Sequence, residues 1–164
     1  MSKDFYTQFI LPYAGIIIKI CRAYTDNEED FQDYYQEVCL QLWKSRENFK
    51  GDSKWSTWVY RISLNISLSL LKKDKKVNKK SVELQNLATV VPQESNPFND
   101  ESLKLLYLAI KQLPELDRAI ILLYLEENSY QEIAEIIGLL PNNIGVKITR
   151  IKKKLKILLD GKIY

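Results

Sequence analysis

One stretch, SYQEIAEIIGLLPNNIGVKITRIKKKL from Ser129 to Leu155, constrains the fold of this chain more than any other. Ser129 with Glu132 three residues later forms a capping box, which starts a helix by satisfying backbone N–H groups that have no partner inside it. Ile133, Ala134, Ile136 and Ile137 then give that helix an apolar stripe until Gly138 ends it. A second helix begins near Pro141, a residue suited to a first helical turn because its missing N–H is not needed there.

In the second helix Ile144, Ile148, Ile151 and Leu155 recur at steps of four, three and four. Asn143, Lys147, Arg150 and Lys154 repeat the rhythm one position earlier, so an apolar row and a cationic row run side by side. A basic run such as Lys152, Lys153, Lys154 and Lys156 is most often a solvated face. Here the preceding turn and helix complete a helix-turn-helix, whose second helix is suited to a DNA groove, and DNA contact is the expectation.

The bulk properties narrow the function classes. The chain has 164 residues, 46% hydrophobic and 27% charged, enough for one core or two small helical domains. The longest apolar stretch, Phe9 to Ile18, is interrupted by Pro12, Tyr13 and Gly15 and is too short to span a bilayer; no signal-peptide pattern precedes it. We expect a cytoplasmic protein without membrane insertion. Cys21 and Cys39 have no His and no second thiol pair to complete a zinc site, so both are expected as small buried hydrophobes in a reducing compartment. With no His and neither GxGxxG nor GxxxxGK, an enzyme is disfavoured and no cofactor is expected.

Charge is unevenly placed. Residues 1–80 hold 14 Lys and Arg against 10 Asp and Glu, residues 81–102 hold none against 4, and residues 103–164 hold 10 against 7. Two basic modules therefore flank an acidic connector, SVELQNLATVVPQESNPFNDE, whose prolines and polar residues predict an extended or weakly ordered linker. Helical periods are expected at Asp4 to Tyr24, with Pro12 starting a second piece, and at Asp30 to Ser45, Trp55 to Lys73, Ser102 to Leu113 and Glu115 to Glu126. The fold class is all-α in two small domains, 1–80 and 103–164, joined by the linker 81–102.

In the helix Asp30 to Ser45, Tyr35, Val38, Cys39 and Leu42 form the expected buried stripe, while Asp33, Gln36 and Glu37 share another face. Spacing alone makes that face ordinary solvated surface. In the next helix Trp55, Val59, Ile62 and Ile66 make one packing row, and Thr57, Arg61, Asn65 and Lys72 another. Aromatics beside donors and cations suit stacking on unpaired bases and holding phosphates, although Trp58 at least is expected in the core. The loop FKGDSK, Phe49 to Lys54, has a glycine for a tight path and backbone groups able to line a pocket for an extruded base.

These residues resemble the sigma-70 superfamily, and within it the two-domain extracytoplasmic-function sigma factors of bacterial RNA polymerase. The string DYYQEVCLQLW at Asp33 to Trp43 is similar to region 2.2, FKGDSKWSTWVYRISLN at Phe49 to Asn65 to regions 2.3 and 2.4, and LPELDRAIILLYLEENSYQEIAEIIG at Leu113 to Gly138 to region 4. The resemblance implies a non-enzymatic initiation factor. Asp33, Gln36 and Glu37 would dock on the coiled coil of the polymerase β′ subunit, which replaces the solvated-surface reading. Phe49, Ser53, Lys54, Tyr60, Arg61 and Asn65 would hold the melted −10 element, with Asn65 reading a flipped base and Lys72 and Lys73 holding phosphates.

The second helix of the opening motif would enter the major groove of the −35 element, with Asn142, Asn143, Lys147, Thr149, Arg150 and Lys153 at contacting positions. The implied partners are core RNA polymerase through the β′ coiled coil and β flap, promoter DNA, and an anti-sigma or other regulatory protein. The chain departs from the family pattern at Gly145 and Val146, where a basic residue and Ser are common, and at Leu140, where a capping hydroxyl is common. A glycine there lets the backbone approach DNA closely at a cost of about 1 kcal/mol in helix propensity. The rival is a stand-alone helix-turn-helix regulator, which binds intact duplex without polymerase. A helical adaptor for protein alone has no use for the Asn143, Lys147, Arg150 and Lys154 row.

Overall fold

The computed structural model describes residues 2–85 and 101–160, with 76–85 described by backbone only. The acidic connector expected at 81–102 falls largely on 86–100, outside the described residues. The chain divides into two compact units, Met1–Ser95 and Asn96–Tyr164, and among the described residues every regular element is helical.

The first unit opens with a broken helical lead-in: α1 (Lys3–Phe5) is capped by the Ser2 side chain and passes into a π-helical turn over Tyr6–Ile10 and a 3-10 turn over Leu11–Tyr13. The break occurs where Pro12 removes a backbone donor. Helix α2 (Ala14–Ala23) follows; the second piece expected from Pro12 opens as the 3-10 turn, and Ile10 just before it lies fully in the core.

Helix α3 spans Glu28–Lys44, beginning two residues before the expected Asp30 because Asn27 caps it, accepting from the Asp30 N–H at 2.8 Å. Its buried residues are Phe31, Tyr34, Val38, Cys39 and Leu42. Tyr35 was expected in that stripe and is only half-buried; the stripe starts a turn earlier, and Tyr34 takes the inner position.

Helix α4 runs from Trp55 to Gln85, beyond the expected Lys73 and over the first residues assigned to the connector. Its inner face also differs from the predicted row. Val59 is buried as expected, but Ile62 and Ile66 are half-buried, while Thr57, Tyr60, Ser63, Leu64 and Ser67 line the interior. Helices α2, α3 and α4 pack mutually, and fully buried Ser63 and Ser67 leave α4 little side chain to hold it off its neighbours. Apolar periodicity is blind to such small polar positions.

In the second unit α5 (Glu101–Lys111), α6 (Glu115–Leu125) and α7 (Tyr130–Ile137) all contact α8 (Pro141–Leu159). Ile110, Leu113, Ile120, Leu123, Ile133, Ile144 and Ile148 are its innermost residues, each worth about 1.5–3 kcal/mol when fully buried. Its turns are fastened by side chains: Arg118 Nε donates to the Leu113 carbonyl at 3.0 Å, and Asn128 Nδ2 to the Leu123 carbonyl at 2.9 Å. Among the described residues no helix is long and apolar enough to cross a membrane.

Candidate polymerase and nucleic-acid interfaces

Burying Phe31, Tyr34, Val38 and Leu42 on one side of α3 leaves Asp33, Gln36 and Glu37 together on the outside, all three exposed. Leu40 continues that face one turn on and is itself 36% exposed. The surface is therefore acid and amide with an apolar end, a detail hydrophobic patterning did not single out. The helix behind it is well anchored. Arg22 pairs with Glu28 at 2.8 Å and lies 3.6 Å over the Phe31 ring, holding the Glu28 carboxyl below the usual range. Tyr34 donates to Asp74 at 2.9 Å, tying α3 to α4; burial first, and Asp74 second, push its phenol up.

After α3, Arg46 folds back, donating to the Trp43 carbonyl at 2.6 Å with its guanidinium 3.6 Å over that ring. The Phe49 to Lys54 loop then turns through Gly51, whose φ of +79° is the left-handed conformation glycine adopts freely. The half-buried Phe49 ring lies 5.1 Å from Trp55, edge-on, and 5.9 Å from Trp58. Ser53 is half-buried and Lys54 exposed. On α4, Arg61, Asn65 and Lys72 share one face extending about 16 Å at the helical rise, with Arg61 half-buried and Asn65, Lys72 and Lys73 exposed.

Tyr60 does not belong with this surface. It is 6% exposed and sits on the inner side of α4 beside Val59 and Leu64. Its burial sets it apart from the exposed Asn65, Lys72 and Lys73, so the direct contact with DNA expected of it is not offered by this surface. Trp58 is half-buried with its Nε1 enclosed, in keeping with a largely internal role.

In the second unit both bonds of the Ser129/Glu132 capping box are present, and Gly138 ends α7 in the left-handed conformation at φ +89°. Leu140 caps α8 without a side-chain hydrogen bond and is 70% exposed, with Pro141 in the first turn. Ile144, Ile148, Ile151 and Leu155 are buried, which directs Asn142, Asn143, Arg150 and Lys153 outward; Lys147 is half-buried on the flank. Thr149 is exposed but its hydroxyl donates to the Gly145 carbonyl at 3.0 Å.

Gly145 has a neighbour the sequence did not disclose. The Tyr130 ring from α7 lies against it, so near that a Cβ there would stand 3.3 Å from Tyr130 Cε2. The two helices of the motif therefore meet at this glycine. The basic run also divides: Lys152 donates to the Tyr124 hydroxyl at 2.6 Å, whereas Lys153, Lys154 and Lys156 are exposed and Leu155 points inward.

Both cysteines are buried and free, and burial pushes the Cys21 thiol up to about 12 and the Cys39 thiol to about 11. Among the described residues no group of three or more His, Cys, Asp or Glu side chains is gathered closely enough to hold a metal ion.

Two family models match this chain: Sigma-70 region 2 over residues 9–77 and Sigma-70, region 4 over residues 103–155. The ECF RNA polymerase sigma-E factor of Escherichia coli (strain K12) is 29% identical over 135 residues, covering 76% of this chain and 71% of that one. The ECF RNA polymerase sigma factor SigW of Bacillus subtilis (strain 168) is 25% identical over 166 residues, covering 94% and 89%. In structure, the sigma factor RpoE from Bartonella quintana, solved with the anti-sigma factor NepR, aligns with a TM-score of 0.73 at 18% identity, covering 98% of this chain and 99% of that one. That likeness concerns the fold.

Proposed function

The chain belongs to the sigma-70 family, among the extracytoplasmic-function sigma factors of RNA polymerase, and on that premise we propose how its two units divide the work of starting transcription. The Asp33, Gln36, Glu37 and Leu40 face of α3 docks on the β′ coiled coil of core polymerase. The Phe49 to Lys54 loop receives an unpaired base of the −10 element, Asn65 reads its edge, and Arg61, Lys72 and Lys73 hold the strand's phosphates. Helix α8 lies in the major groove at the −35 element, with the second unit carried on the β flap.

The observation that carries this reading is the shared face of Arg61, Asn65 and Lys72 on α4, directly after an aromatic-lined loop. Cations and an amide there fit a single strand better than a duplex. Binding energy supplies the work of opening. Unstacking a base costs a few kcal/mol, and stacking in a protein pocket returns about 1–3 kcal/mol per base. The chain itself makes and breaks no bonds; nucleotide addition is the polymerase's. A restraining protein partner is also proposed, on the strength of the anti-sigma complex of the structural relative.

The test is transcription by sigma-free core polymerase supplied with this protein and a library of genomic fragments. Discrete run-off products sharing two upstream elements are expected. Failure to bind core, or equally tight binding of intact duplex by the protein alone, favours the stand-alone regulator instead.

A further inference from the structure

The lead-in before α2 carries two phenylalanines to which promoter capture assigns no task. Phe5 and Phe9 stack with centroids 5.3 Å apart, and Phe9 remains 44% exposed. The Phe9 carbonyl accepts from the indole Nε1–H of Trp55, at 2.7 Å, across 46 positions of sequence.

The contact continues toward the loop. Trp55 meets Phe9 and Phe5 edge-on at 5.8 and 6.2 Å, and also meets Phe49 edge-on at 5.1 Å. Phe5 also meets Trp43 at the end of α3, at 5.3 Å. An indole hydrogen-bonded at its one donor has its ring rotation fixed, and an edge-on neighbour takes its orientation from that ring. π-helical turns, such as the one that carries Phe9, are concentrated at functional sites.

We infer that Trp55 is a positioning residue for base capture: held by the Phe9 carbonyl, it sets Phe49 and the Phe49 to Lys54 loop in the orientation that receives an unpaired nucleobase. The lead-in thereby becomes part of the strand-opening apparatus. The inference rests on the promoter-capture reading proposed above.

Holoenzyme reconstituted with Trp55→Phe keeps a ring but loses the donor. We expect unchanged affinity for core polymerase, and about three- to ten-fold weaker binding to a promoter fragment whose −10 non-template strand is already single-stranded, the range set by loss of one hydrogen bond. A 2-aminopurine at the captured position should report a less completely stacked base. Trp55→Phe added to Phe49→Ala should weaken binding no further than Phe49→Ala alone, because the first acts through the second. Should Trp55→Phe fail to fold, Phe9→Leu leaves the Trp55 donor in place and removes the ring packed edge-on against it, with the same selective loss expected.

Wild-type affinity of Trp55→Phe for the pre-opened fragment overturns the inference. So do parallel losses of core and fragment binding, or full additivity with Phe49→Ala. If wild-type holoenzyme ignores the pre-opened strand altogether, promoter capture itself has failed, and that outcome is read from the unmutated protein.

Discussion

The Tyr130 ring rests on Gly145, where an added Cβ would come within 3.3 Å of Tyr130 Cε2. Tyr130 is 43% exposed, so its ring edge can give way by the few tenths of an ångström required. Alanine in place of glycine within a helix gains about 1 kcal/mol. Gly145→Ala is therefore expected to stabilise the second unit by about 0.5–1 kcal/mol, read as a raised midpoint in thermal unfolding followed by far-ultraviolet circular dichroism. A lowered midpoint means Tyr130 is held more rigidly than its exposure indicates.

The opposite sign is expected at Gly138. Its φ of +89° belongs to a conformation that a Cβ strains, and no neighbour lies within 4 Å to complicate the outcome. Gly138→Ala should lower stability by about 1 kcal/mol. The two glycines, both in one motif, thus separate a position that needs the left-handed backbone from one that does not.

Asp33→Ala with Gln36→Ala should abolish association with core polymerase while leaving circular dichroism unchanged, because both side chains are exposed and neither supports the core. A pull-down with core enzyme reads the first half and a melting curve the second. Retained association removes the α3 face from the docking surface.

Asn65→Ala should leave polymerase binding intact and impair opening of the start site. Permanganate reactivity of −10 thymines is the measure, and reactivity equal to wild type rules out base reading by this amide.

Alkaline pH should destabilise the first unit before the second, where burial raises only the Tyr107 phenol among the described residues and no thiol is present. Cys21 and Cys39 are raised to about 12 and 11 by burial, and Tyr34 and Tyr35 are also raised. A group whose folded pKa exceeds its unfolded one contributes stability that is complete below the unfolded value, about 8.5 for a thiol, and disappears as pH climbs to the folded value. Stability should thus fall from about pH 9 upward. Trp43, Trp55 and Trp58 all lie in the first unit, so tryptophan fluorescence follows it alone, and Cys21→Ala should shallow the decline.

What the sequence disclosed follows from which signals are local. The Ser129/Glu132 cap, the Gly138 stop and the isoleucine row of α8 depend on residues three or four apart, and the structure matches each. The all-helical class and sigma-70 membership were legible for the same reason, resting on strings short enough to read whole. Features formed by residues distant in sequence were not. Ser63 and Ser67 look polar until α4 is seen among its neighbours, Tyr60 looks like part of the DNA face until its side of the helix is fixed, and no pattern links Phe9 to Trp55. Tyr130 and Gly145 are likewise far apart on the chain, and their contact is visible only once α7 and α8 are packed.

Enclosure of both native thiols has a practical corollary. Maleimides and other electrophiles that need an accessible thiolate will pass over Cys21 and Cys39 in the folded chain. A single cysteine introduced at an exposed position away from the proposed contact residues, such as Glu29 or Gln112, becomes the one reactive handle, and a dye or crosslinker placed there can follow assembly without first stripping the interior of its sulfur.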